Sequence, residues 1–175
     1  SMARFGLLAF NKGTWNTTKI VNESFFNASV NTSQNINEAY GYLWWLNGKQ
    51  SYHLPQSQYD FQGNLIPNAP NDLYAALGKN DQKIYVSPSK KLVIVRMGES
   101  ADNSNFALSN FDNELWRIQI EAQNAGESVE DYFGGDDETC FNLQTYLTGF
   151  QYILIGNVLV LVLAACAHSL DRGKN

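Results

Sequence analysis

Tyr74-Ala75-Ala76-Leu77-Gly78-Lys79-Asn80-Asp81-Gln82-Lys83-Ile84-Tyr85-Val86-Ser87-Pro88-Ser89-Lys90-Lys91-Leu92-Val93-Ile94-Val95-Arg96-Met97-Gly98 reads as three short strands in succession. The first covers 74–77, the second 82–86 and the third 92–97. Ser87 to Lys91 is the turn between the last two, where Pro88 presets a backbone angle. Leu92-Val93-Ile94-Val95 is apolar on both faces, the pattern of a central strand covered from both sides. Leu108, Phe111, Leu115 and Ile118 recur at helical spacing, which predicts a helix over about 104–124 able to cover one of those faces.

Upstream, Met2, Phe5, Leu8 and Ala9 share one helical face, and Lys12-Gly13 supplies a stop. A second short helix is expected near 23–30, then a polar loop over 31–39 and an aromatic strand over 40–46. The 47–72 segment has little period and reads as an irregular loop, with Pro67 and Pro70 excluding a central strand. The fold class is therefore α+β, an antiparallel β-sheet contributed largely by 40–98 and flanked by helices.

Downstream the character changes. Residues 121–138 hold seven acidic side chains, no basic one and the pair Gly134-Gly135, which reads as a linker. Residues 152–167 form a 16-residue apolar run, short of the roughly 20 that a membrane helix needs. A core segment, a membrane anchor and a stretch foreign to the domain are all open readings of it, and Leu163-Ala164-Ala165-Cys166 resembles a lipoprotein lipobox. The organisation expected is a domain over 1–124, an acidic linker over 125–150 and an apolar tail over 151–175.

At 175 residues, 44% apolar and 13% aromatic, the chain can supply a core. Its net charge of -5, without a basic cluster, argues against nucleic acid as a partner, because phosphate neutralisation needs grouped Lys and Arg. Cys140 and Cys166 form no Cys-x-x-Cys pair and the histidines are His53 and His168, so no zinc-ligand spacing is present. Asp131, Asp136, Asp137 and Glu138 lack the alternating spacing of a calcium loop. No metal and no cofactor is expected. Glycosylation sequons begin at Asn16, Asn22, Asn27 and Asn31, as an Asn-rich stretch produces by chance.

Three stretches taken together carry a family resemblance: Ala3-Arg4-Phe5-Gly6-Leu7-Leu8-Ala9-Phe10-Asn11-Lys12-Gly13-Thr14-Trp15, Tyr40-Gly41-Tyr42-Leu43-Trp44-Trp45, and the 74–98 strands. Over residues 2–121 the chain resembles the C-terminal half of the serine β-lactamase-like hydrolases, which include class C β-lactamases, penicillin-binding proteins and related esterases. The resemblance implies acyl transfer to a serine and hydrolysis of a small-molecule ester, amide or lactam, in a periplasmic or secreted enzyme.

That chemistry needs a serine with a lysine one helical turn later and a second proton shuttle, often Tyr-x-Asn. The formal Ser-x-x-Lys here, Ser87 to Lys90, sits in a hairpin turn; Tyr-x-Asn is absent, and Ser33-Gln34-Asn35 is a formal match only. No catalytic side chain is therefore assigned within the chain. The nucleophile, its base and the cover for the second sheet face are expected from an upstream segment.

The family's third element often reads Ala-x-Gly-x-Gly-Gly-Gln, and Ala76-Leu77-Gly78-Lys79-Asn80-Asp81-Gln82 falls in register with it. Leu77 replaces a polar residue and Asn80-Asp81 replace the glycine pair. By resemblance the backbone N–H of Lys79 is an oxyanion donor, and Gly78, Lys79, Asn80, Tyr42 and Trp44 are the substrate-binding candidates. Tyr40, Tyr42, Trp44 and Trp45 suit either a cleft or a core. His53 has no matching acid or nucleophile nearby in sequence. The competing class is a non-enzymatic binding or scaffold protein, held at a membrane through 152–167.

Overall fold

In the computed structural model, which describes residues 2–98, 100, 107–125, 150–155 and 158–164, the 74–98 stretch forms the middle of a six-stranded sheet. The elements in chain order are α1 (Met2–Phe10), β1 (Thr14–Trp15), β2 (Thr18–Lys19), α2 (Glu23–Ser29), β3 (Trp45–Leu46), β4 (Ser51–Tyr52), β5 (Phe61–Gln62) and β6 (Tyr74–Leu77). A 3-10 turn (Lys79–Asp81) follows, then β7 (Lys83–Ser87), β8 (Leu92–Met97), α3 (Asn110–Ala125), β9 (Phe150–Ile155) and β10 (Val158–Ala164). The large sheet runs β3-β6-β7-β8-β10-β9, antiparallel throughout except for the parallel β8–β10 pair. The fold is α+β.

Period-two alternation sorts the meander into two cores. Ala75, Tyr85, Leu92 and Ile94 face α3, where Phe111, Leu115, Trp116 and Ile118 meet them. Tyr74, Ile84, Val86, Val93 and Val95 face the other way, onto Leu7 and Ala9 of α1, with Phe26 and Trp44. The second face of β8 is thus covered by α1, not by a segment outside the chain. Gly6 makes this cover close, since a Cβ there would lie 2.5 Å from Val93 Cγ1 and 3.1 Å from Ile84 Cγ2.

Two segments differ from the sequence reading for identifiable reasons. The aromatic 40–46 stretch is a strand only at Trp45–Leu46, because the chain doubles back: Tyr40 bridges Trp45, Gly41 N–H donates to Trp44 C=O at 2.8 Å, and Leu43 adopts φ 66°. Only Gly fits at 41, where a Cβ would stand 2.1 Å from the Ser29 carbonyl oxygen. The 47–72 loop contains the β4–β5 hairpin and is pinned by the buried Asn47 amide. Its Nδ2 reaches the carbonyls of Ile66, Ala69 and Pro70 at 3.1 Å, while its Oδ1 accepts from Ile66 N–H at 2.9 Å. One side chain there satisfies backbone groups that a ladder would otherwise pair.

The expected helix over 104–124 begins at Asn110, and of its stripe Phe111, Leu115 and Ile118 are buried while Leu108 is half-buried. The apolar tail contributes β9 and β10, the latter in register with all of β8 from Leu92 to Met97. No helix among the described residues is long and apolar enough to cross a membrane. Residues 126–149, which hold most of the expected acidic linker and Cys140, lie outside the described residues, as do Cys166 and His168.

Candidate functional site

The edge of β6 is only half used. β3 pairs with Tyr74 and Ala75 and then leaves the sheet as the chain doubles back at Leu43 and Trp44, so nothing among the described residues continues the β3 side of the ladder beyond Ala75. Asn47 N–H donates to Leu73 C=O at 2.9 Å, which sets the phase: residues 73, 75 and 77 turn their backbone groups toward the β3 side. Gly78 N–H donates the opposite way, to Gln82 C=O at 2.8 Å. Gly78 is extended (φ -105°, ψ 169°), so the next N–H, that of Lys79, falls on the open side. No acceptor for it is found among the described residues.

A strained turn follows at once. Asn80 (φ 57°, ψ 35°) and Asp81 (φ 56°) are consecutive non-glycine residues in the left-handed region, at a cost of about 1–2 kcal/mol each. Gly78 is tightly placed as well, since a Cβ there would approach Gln82 C=O at 3.0 Å. The Gln82 side chain closes the neighbouring strand ends, its Nε2 donating to Gly98 C=O and its Oε1 accepting from Gly98 N–H at 3.3 Å.

Beneath the turn lies a cluster of buried charge. Lys83 and Arg96 stand directly opposite each other on β7 and β8, both facing α3, with 0% and 1% exposure. Like charges in that position repel. Two buried carboxylates offset them. Lys83 Nζ lies 2.7 Å from Asp81 Oδ1 and also donates to Asp112 Oδ2, with Ser109 Oγ at 3.2 Å and Ala107 C=O at 3.3 Å. Arg96 Nη1 donates to Asp81 C=O at 2.9 Å, and its guanidinium carbon sits 4.8 Å over the Phe111 ring. Asp112 also accepts from Tyr85 Oη at 2.5 Å and from Ser109 N–H at 2.7 Å, the latter closing the N-terminus of α3 in the manner of a capping box. Ser109 Oγ donates to Asp81 Oδ1 at 2.9 Å.

Burial, with the nearby Asp112 carboxylate second, holds the Tyr85 phenol well above its ordinary value near 10. Burial also raises Tyr74, whose Oη donates to Ala9 C=O at 3.0 Å. Both groups stay protonated in the folded chain at a pH where the unfolded chain loses the proton. Stability is therefore expected to be untouched by these groups below pH about 10 and to fall above it, by up to about 1.4 kcal/mol per pH unit for each tyrosine. Urea midpoints between pH 8 and 11, followed with phenolate absorbance at 295 nm, check this. Phenolate appearing before the unfolding transition would contradict it.

The remaining candidates are placed as follows. Gly78, Lys79 and Asn80 lie together on the turn, with the Lys79 and Asn80 side chains exposed. Tyr42 is 48% exposed and tilts against Phe25, at 5.9 Å between ring centroids. Trp44 is 7% exposed, stacked on Phe5 and edge-on to Tyr74, and Tyr40 packs edge-on against Trp45. Ser87 is fully buried at the end of β7 and its Oγ has no hydrogen-bond partner among the described residues, whereas Lys90 is exposed in the turn. Ser89 donates through N–H and Oγ to Asp72 at 2.7 and 2.8 Å. His53 Nε2 stands 3.7 Å from Asp60 Oδ1, and its Nδ1 lies 3.1 Å from Tyr59 C=O.

The sequence reading missed the Lys83, Arg96, Asp81, Asp112 cluster. Its signal is the phase of the alternation, since Lys83 is in step with Tyr85, Arg96 with Ile94, and Asp112 lies inside the apolar stripe of α3. A hollow of about 450 Å³ between α1 and the β1–β2 hairpin, lined by Leu7, Phe10, Lys12 and Trp15 among others, is separate from residues 78–80. No family model matches the chain, and no curated protein or solved structure matches it either.

Proposed function

We propose that the chain is one half of a serine hydrolase site, acting by acyl transfer on an ester, amide or lactam once an upstream segment supplies the Ser-x-x-Lys pair. The observation that carries this reading is the open edge of β6, where the Lys79 N–H points away from the ladder at the mouth of a strained, anchored turn. A fixed N–H at a strand edge is what an oxyanion hole requires, since the donor must be in place before charge develops on the substrate. The lack of a side chain at Gly78 lets Gln82 pack against the turn, the exposed face of Tyr42 offers apolar contact, and Trp44 supports the loop from within the core.

Residues 1–175 alone should then show no turnover of p-nitrophenyl esters or a chromogenic cephalosporin and no fluorophosphonate label. Ser87, fully buried and remote from any helical lysine in sequence, is not a nucleophile in this reading. Turnover abolished by Ser87→Ala would overturn it. A non-enzymatic binding role is favoured by one feature, the exposed side chains of Phe5, Phe25, Tyr42 and Leu43. Full activity-independent binding of a partner by that surface is the outcome that would prefer it.

A further inference from the structure

We propose that Asp81 is the positioning residue of the Gly78–Asn80 turn, fixing the direction of the Lys79 N–H from below. The inference deepens the half-site reading and rests on it for its functional meaning. From outside, the Lys79 and Asn80 side chains are exposed and provide no anchor. The turn's local bonds among the described residues are the backbone pair Gly78 N–H to Gln82 C=O at 2.8 Å and the longer Gln82 N–H to Lys79 C=O at 3.4 Å, and Gln82 Nε2 donating to Asn80 C=O at 2.9 Å, all made through Gln82.

Asp81, by contrast, is held at both its side chain and its carbonyl. Lys83 Nζ and Ser109 Oγ grip Oδ1 at 2.7 and 2.9 Å, and Arg96 Nη1 grips the carbonyl oxygen at 2.9 Å. These partners come from β7, the residue before α3, and β8, so three parts of the core converge on one residue of a left-handed pair. Strained backbone persists where its surroundings over-determine it. Asp81 is where that happens here.

The test is amide spectroscopy and hydrogen exchange on the full 175-residue chain. Asp81→Ala is expected to move the Gly78, Lys79 and Asn80 amide resonances toward random-coil positions and to lower the exchange protection of Gly78 at least tenfold. Val93 and Val95 amides should keep their protection. Asp81→Asn retains an Oδ1 acceptor for Lys83 and Ser109 and is expected to restore wild-type resonances at the turn. Ser109→Ala removes one grip and should give a smaller shift of the same three amides, which keeps the test decisive if Asp81→Ala does not fold. Wild-type turn resonances and Gly78 protection in Asp81→Ala, or in Ser109→Ala where Asp81→Ala is unfolded, would overturn the proposal. Fluorophosphonate labelling of a polypeptide that includes the upstream segment judges the half-site reading separately, because the turn's dependence on Asp81 is read without any activity.

Discussion

Lys83→Ala is expected to destabilise the chain by about 3–5 kcal/mol, enough to unfold a domain of ordinary stability. The side chain is fully buried, and its removal leaves the buried Asp81 and Asp112 carboxylates without the ammonium that contacts both of them. A buried charge stripped of its partner cannot recover its hydration, so the loss exceeds anything an exposed pair would show. The exposed Lys19–Glu23 pair is the internal comparison, where Lys19→Ala should cost at most about 1 kcal/mol. Denaturant unfolding of the two variants side by side checks the contrast. Equal midpoints would show that the cluster is not an energetic unit.

The second large effect concerns rate. In a polypeptide that carries the proposed upstream segment, Lys79→Pro is expected to lower kcat by about 10²–10³-fold with little change in KM. Proline removes the one backbone hydrogen the proposed oxyanion hole uses, and the extended Gly78 before it already has the backbone that a pre-proline residue prefers. Lys79→Ala keeps the N–H and should behave nearly as wild type. Loss of activity in both variants would instead assign the role to the lysine side chain.

The strands and helices of residues 2–98 were legible where one physical signal dominated. Glu23–Ser29, Tyr74–Leu77 and Leu92–Met97 announce themselves through period, breakers and β-branched content. Met2–Phe10 is helical as expected but buries Gly6, Leu7 and Ala9 and leaves Phe5 50% exposed, so the face read from Met2, Phe5, Leu8 and Ala9 is not the buried one. The 40–46 stretch misleads because aromatic content marks burial as well as strand, and the reversal depends on a contact between Gly41 and Ser29 that no local pattern encodes. The cover on the second face of β8 is α1, where the sequence reading expects a segment from upstream. Only Gly6, by admitting Val93 and Ile84, lets nine residues serve.

The site was legible in a different way. Gly78 and the residues after it stood out by register with a family pattern, but the charges that anchor the turn did not. Lys83 and Arg96 sit in strands otherwise read as apolar, and the Asp81–Ser109 and Lys83–Asp112 contacts span 28 and 29 residues. Long-range pairing of this kind appears only when β7, β8 and α3 are assembled.

The half-site proposal meets its most direct test in fluorophosphonate labelling followed by peptide mapping, run on residues 1–175 and on a longer polypeptide that carries the proposed upstream segment. The account predicts no adduct on the shorter chain and one adduct on the longer, at a serine outside residues 1–175. An adduct at Ser87 or any other serine of the 175 residues, or none on the longer polypeptide, would contradict it.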